Sequence, residues 1–152
     1  MKKKKLYLDN CCFNRPFDDL TDYQMRLECE AILTIIGKCT EGVWEICGSD
    51  VLEAEIEKII NPIRKQQVLE LYSFTSPHLE INDVILLRAN ELHALSIKPF
   101  DALHLASAEF DKADAFLTTD NKLINKVKKN MISKINIYNP VIWLMEVLYN
   151  DV

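Results

Sequence analysis

The chain has 152 residues, is 49% hydrophobic and 27% charged, and carries a formal net charge of −5, which suits one globular domain spanning 1–152 with a buried core. It holds no run of 18 apolar residues, and Met1-Lys2-Lys3-Lys4-Lys5 leads straight into a strand pattern; this predicts a cytoplasmic protein with no membrane partner. The acidic balance argues against a surface coated for non-specific nucleic-acid binding, since phosphate contacts need clustered Lys and Arg. Residues 121–145 nevertheless contain five Lys and no Asp or Glu.

Leu6 to Leu8 reads as a short buried strand closed by Asp9, followed by a polar loop through Asn14-Arg15-Pro16. An amphipathic helix is predicted over about 23–36, with Gly37 as its stop. Val43 to Cys47 forms a second strand, and Ser49 can cap a helix reaching about Ile60. Asn61-Pro62 opens another helix. A weak strand at 79–81 precedes a helix over about 83–95, and Lys98-Pro99 leads into the Ala-rich helix that carries Asp101. Ala115 to Thr118 is the next strand, closed by Asp120. A Lys-rich helix from Asn121, a strand over 135–138 and a helix opened by Pro140 complete the pattern.

Strands separated by helices cannot pair as hairpins, so a parallel sheet with helices on both faces is expected, a three-layer α/β/α sandwich. In such folds ligands bind where the strands end. Gly occurs only at 37, 42 and 48, which excludes the glycine-rich phosphate loops and with them a nucleotide cofactor of that kind. The five cysteines, 11, 12, 29, 39 and 47, are odd in number and lack a C-x-x-C pair, so they read as free, mostly buried thiols.

Asp9 ends a strand that should be central and dry, where an ionised carboxylate needs a cation or several donors; Asp9-Asn10 also suits a turn. Asp101 and Asp120 each stand where an Asp serves as a helix-start residue. In the helix after Ser49, at about 100° per residue, Glu55 projects between Val51 and Ile59, whereas Glu53 and Glu57 fall outside the apolar arc. Glu55 is therefore the fourth candidate acid. His104, one turn after Asp101, is a candidate substrate contact, against the commoner reading of a satisfied helix histidine. The three histidines are not spaced as a metal set.

Together, Leu6-Tyr7-Leu8-Asp9, Ser49 followed six residues later by Glu55, Asp101-Ala102-Leu103-His104-Leu105-Ala106-Ser107-Ala108, and Leu117-Thr118-Thr119-Asp120 resemble the PIN-domain ribonucleases, in the family's order and over nearly the whole chain. The nearest likeness within that superfamily is to small VapC-type toxins. The resemblance implies a parallel five-stranded sheet in order 3-2-1-4-5, with Asp9, Glu55, Asp101 and Asp120 holding Mg²⁺ or Mn²⁺. It also implies metal-dependent hydrolysis of RNA, a homodimer and, for a toxin, an antitoxin partner. Thr118 matches the family's hydroxyl residue that orients the acids. The chain departs from the pattern at Asp9-Asn10-Cys11, where a Ser or Thr and then an Asn or Ser commonly follow the first Asp, which makes Asn10 and Asn14 the candidate polar support. Leu123 stands where a Phe is common. Arg15 and the helix bearing Lys122 and Lys126 are candidate phosphate contacts.

The chemistry agrees with the likeness, because four clustered carboxylates cannot all ionise without cations, and hard oxygen ligands favour Mg²⁺ or Mn²⁺. Two other classes compete. A PIN fold that binds RNA or protein without cutting would keep the same fold. A phosphoacceptor phosphatase or receiver-like domain also has an Asp after its first strand, but the phosphatase needs a second Asp where Cys11 stands, and the receiver needs acids where Lys2 to Lys5 stand.

Overall fold

The computed structural model describes residues 2–150. The chain runs β1 (Lys4–Leu8), α1 (Asn10–Asn14), a single 3₁₀ turn (Arg15–Phe17), α2 (Tyr23–Thr40), β2 (Trp44–Ile46), β3 (Gly48–Ser49), α3 (Asp50–Glu57), α4 (Pro62–Tyr72), β4 (His78–Leu79), α5 (Asp83–Ala94), α6 (Pro99–Phe110), β5 (Ala115–Leu117), α7 (Asn121–Lys129), β6 (Ile137–Tyr138) and α8 (Pro140–Asn150). The layers are α/β/α, as periodicity predicts, but the sheet differs from the expected five strands in order 3-2-1-4-5. There are two parallel sheets, a four-stranded one in order β2-β1-β5-β6 and a two-stranded one of β3 and β4.

The division falls at Cys47. Residues 44–46 lie in register with β1 from Lys4↔Trp44 to Leu6↔Ile46, and the Cys47 N–H donates to Leu6 O at 3.1 Å. Beyond that point Leu8 still belongs to β1, but the next two residues of the neighbouring segment turn away from it, and the Gly48 N–H donates to Pro77 O at 2.9 Å. They pair with β4 instead, Gly48↔His78 and Ser49↔Leu79. Gly48 makes this approach possible, since a Cβ there would stand 2.7 Å from Thr75 Oγ1 and 2.8 Å from Tyr72 Oη. Both oxygens are pinned, the first to Tyr72 O and the second by the Ser49 N–H and Glu53. His78 fastens β4 to α3 through Asp50 at 2.7 Å and Glu53 at 3.0 Å.

Element boundaries shift where capping competes with composition. Helix α2 runs through Gly37, which meets open space, and stops before Gly42, whose φ of +81° lies in the left-handed region that glycine tolerates. The predicted polar loop after Asp9 is helical over α1. Helix α3 ends at Glu57 rather than near Ile60, and the 79–81 and 135–138 strands shorten to His78–Leu79 and Ile137–Tyr138. Ser49, Asn61 and Asn82 cap their helices as N-cap side chains.

The core runs through Leu6, Tyr7, Leu8, Phe116 and Leu117 on the strands. Helices α2 and α8 pack together, and Trp44 of β2 meets Trp143 of α8 edge to face at 4.9 Å. Helices α5 and α6 form a second pair, joined to α3 through α6. Ala102, Ala106 and Ala108 are fully buried there, which explains the alanine run after Asp101. All five thiols are free, with Cys12, Cys29 and Cys47 buried. Among the described residues no helix is long and apolar enough to cross a membrane.

Gly48→Ala is expected to lower stability by about 1–3 kcal/mol, the usual cost of overpacking a filled site. Thermal unfolding reads this directly, and an unchanged midpoint would show that β4 does not depend on the close approach.

Candidate metal centre

The two central strands deliver the first pair of carboxylates side by side. Beyond β1 the Asp9 N–H still donates to Leu117 O at 2.9 Å, and beyond β5 the Thr118 N–H donates to Tyr138 O at 3.0 Å. This continued ladder sets Asp9 beside Thr118. The Thr118 hydroxyl donates to Asp9 Oδ2 at 2.8 Å and accepts the Asp120 N–H at 3.1 Å, so one side chain registers both acids. Asp9 is 6% exposed and also caps α1, with Oδ1 accepting the Asn10 N–H at 2.8 Å. Asp120 caps α7 through the Leu123 N–H at 3.1 Å.

Cys11 fills the crossing of the two strand ends. Its sulfur lies 3.5 Å from Asp9 Oδ2 and 3.3 Å from Thr118 Oγ1, and it accepts the Thr119 N–H at 3.3 Å. The thiol thus stands in hydrogen-bonding contact with both strand ends.

Asp101 lies in the first turn of α6, and Glu55 lies in the last turn of α3. With Asp9 and Asp120 they line one open cleft of about 860 Å³, together with Asn10, Asn14, Arg64, Lys98 and Phe100. Burial, then the Asp9 charge, with smaller contributions from Asp120 and Glu55, pushes the Asp101 carboxyl up to about 6. That repulsion is relieved by a cation, so the donor set fits one. Asp9, Glu55 and His104 Nε2 can each turn one ligand atom into a group spanning no more than 4.8 Å. Four carboxylates with one imidazole nearby form an oxygen-rich set, which suits hard divalent cations better than soft ones.

His104 is fully buried rather than turned to substrate. Its Nδ1 lies 2.6 Å from Tyr7 Oη, its Nε2 lies 2.7 Å from Glu55 Oε1, and Asp9 Oδ1 is 3.7 Å from the same nitrogen. Burial pushes the Tyr7 phenol well above its ordinary pKa, which keeps it protonated. Asn14 braces α1 by donating to Asn10 O at 3.0 Å. Arg15 is engaged internally, with Asp18 at 2.9 Å, buried Glu28 at 3.1 Å and Thr119 Oγ1 at 3.0 Å. Lys122 and Lys126 border a smaller cavity that shares Lys98, Asp101 and Asp120 with the cleft, and Lys126 bonds to the Ser96 carbonyl.

Arg64, Lys98 and Phe100 are cleft residues that sequence reasoning did not single out. Arg64 reaches Asp18 Oδ1 at 2.9 Å and Phe17 O at 2.7 Å, and Lys58 Nζ lies 4.5 Å from the Phe100 ring centroid. Proximity of Lys98 and Phe100 to Asp101 in the chain is the one signal that pointed to them.

No protein-family model matches this sequence, and no curated protein matches it. Solved structures do. A chain of VapBC2 from Rickettsia felis, in a complex bound to a DNA fragment from their promoter, is similar with a TM-score of 0.61 and 13% identity, covering 89% of this chain and 98% of that one. A chain of FitAB bound to an IR36 DNA fragment gives 0.56 and 13%, covering 90% and 95%. The protein shares their fold. At this identity the likeness to VapBC2 and FitAB is one of architecture.

The unfolded chain ionises Asp101 above about pH 4, whereas the fold does so only near 6. Between those values the native state keeps a proton that the unfolded state has lost, so this residue's contribution to stability falls as pH rises through that window. Without metal, Asp101→Asn is therefore expected to equal the wild type near pH 4 and to exceed it above pH 6, by on the order of 1 kcal/mol once solvent screening is allowed for. Urea unfolding in chelator across that range measures the difference; parallel curves would remove the carboxylate repulsion.

Proposed function

We propose that this chain is a PIN-domain ribonuclease that hydrolyses RNA phosphodiester bonds, with Mg²⁺ or Mn²⁺ held by Asp9, Glu55, Asp101 and Asp120. The observation that carries the reading is the gathering of four carboxylates from four separate elements into one cleft, with Asp101 held at about 6 by burial and by its acidic neighbours. A divalent cation in such a set polarises a phosphodiester and lowers the pKa of water.

The chain's own groups do the rest. Thr118 and the Asn10 N–H fix the rotamer of Asp9, so that its oxygens are presented without reorganisation when a ligand arrives. Asn10 and Asn14 brace the turn behind it. Lys98 on the cleft wall and Lys122 beside it meet backbone phosphates, which position RNA without reading its sequence. Phe100 offers an aromatic face on which an unpaired base can stack. This reading favours single-stranded or looped RNA, because an open cleft with its acids at the floor admits a backbone that can bend into it.

The shared fold with chains of VapBC2 and FitAB supports a role as the toxin of a type II toxin–antitoxin pair. In that setting an antitoxin would cover the acidic cleft, and the chain would act as a homodimer.

Purified protein incubated with a mixed RNA pool is expected to cut in Mn²⁺ or Mg²⁺ and not in EDTA. Asp9→Asn and Asp101→Asn, each verified as folded, abolish cutting. Absence of cutting with every metal, together with cation binding that is identical in wild type and variants, would instead identify a binding module that does not cleave.

A further inference from the structure

A line of hydrogen bonds runs beneath the acidic cleft from the main chain of α3 to Glu55. The Leu52 N–H donates to Ser49 Oγ at 3.0 Å, Ser49 Oγ lies 2.9 Å from Tyr7 Oη, Tyr7 Oη lies 2.6 Å from His104 Nδ1, and His104 Nε2 lies 2.7 Å from Glu55 Oε1. Ser49 is 1% exposed and Tyr7 and His104 are 0% exposed, so each proton must be placed within the line itself.

Its two ends set the direction. The Leu52 N–H can only donate, and an ionised Glu55 can only accept. Between them one arrangement uses every hydrogen: Ser49 O–H to Tyr7 Oη, Tyr7 O–H to His104 Nδ1, and His104 Nε2–H to Glu55. With the proton on Nδ1, the Tyr7 hydrogen turns back to Ser49 Oγ. The Ser49 hydrogen then has no acceptor among the described residues, and a bare Nε2 lone pair faces a carboxylate oxygen. A doubly protonated ring strands the same serine hydrogen. A buried hydroxyl without a partner is costly.

We infer that His104 is a positioning residue rather than a metal ligand. Its Nε2–H clamps one oxygen of Glu55 and leaves the other for a cation. A histidine that ligates through Nε2 presents that lone pair to the metal and carries its proton on Nδ1, the opposite of what Ser49 and Tyr7 impose. The inference rests on the acidic cleft being a cation site, but the proton's position can be read without any metal.

Two measurements test it. In the metal-free protein, long-range ¹H–¹⁵N NMR of the histidine rings should show His104, assigned by its loss in His104→Gln, protonated on Nε2 alone. Tyr7→Phe should shift its Nδ1 resonance. A proton on Nδ1, with or without one on Nε2, overturns the inference. In Mn²⁺ titrations, His104→Gln, whose amide can accept from Tyr7 and donate to Glu55, should bind within about threefold of wild type. His104→Leu should lose about tenfold or more, the usual effect of removing an orienting partner. Equal losses in both variants would make His104 a ligand and overturn the inference. If the wild type binds no Mn²⁺, the cation reading fails, and the NMR result alone decides the direction of the line.

Discussion

Like charges forced together are the constraint around which this structure is arranged. Asp9, Glu55, Asp101 and Asp120 come from β1, α3, α6 and the end of β5, and bringing them into one cleft costs the metal-free fold stability. Burial limits screening at Asp9 and Asp101, whereas Asp120 stands exposed at the cleft's edge. The rest of the fold supplies what opposes that repulsion: a parallel ladder that continues past the strand ends, helix N-termini that accept carboxylate caps, and a buried core that fixes both.

Thr118 shows how economical that support is. A single hydroxyl takes the Asp120 N–H and gives its own hydrogen to Asp9, which couples the ends of the two central strands through a side chain as well as through the sheet. Cys11 seals the same junction with its sulfur. A sulfur hydrogen-bonds weakly and fills more volume, so the junction relies on Thr118 for direction and on Cys11 for packing.

The floor of the cleft follows a different rule from its walls. Tyr7, Ser49 and His104 are polar groups without access to water, and their positions are set by the need to satisfy each hydrogen. The same Ser49 caps α3, ends the small sheet and begins the line to Glu55. The split of the strands at Cys47 therefore affects more than architecture: it pairs the Ser49 backbone with β4 and leaves its side chain against Tyr7.

Much was legible from the amino-acid sequence alone. Local rules act on neighbours, so alternating helices and strands, the helix starts at Ser49 and Asn61, and the close packing of the Ala102–Ala108 face follow from periodicity and from short polar side chains. Asp9 was recognisable because it closes a strand that should be dry, Asp101 and Asp120 because their motifs complete the family's pattern, and Glu55 because helical geometry separates it from Glu53 and Glu57. Contacts between residues distant in the chain were decided only by the tertiary structure. Strand pairing depends on which backbone a segment turns towards, and Gly48 and Ser49 bond to the 77–79 segment rather than to β1, which produces two sheets where the pattern predicts one. His104 looked like a candidate for substrate because helix periodicity places it one turn after Asp101. Its burial between Tyr7 and Glu55 arises from α6 packing against β1 and α3, a long-range fact that no window of sequence contains.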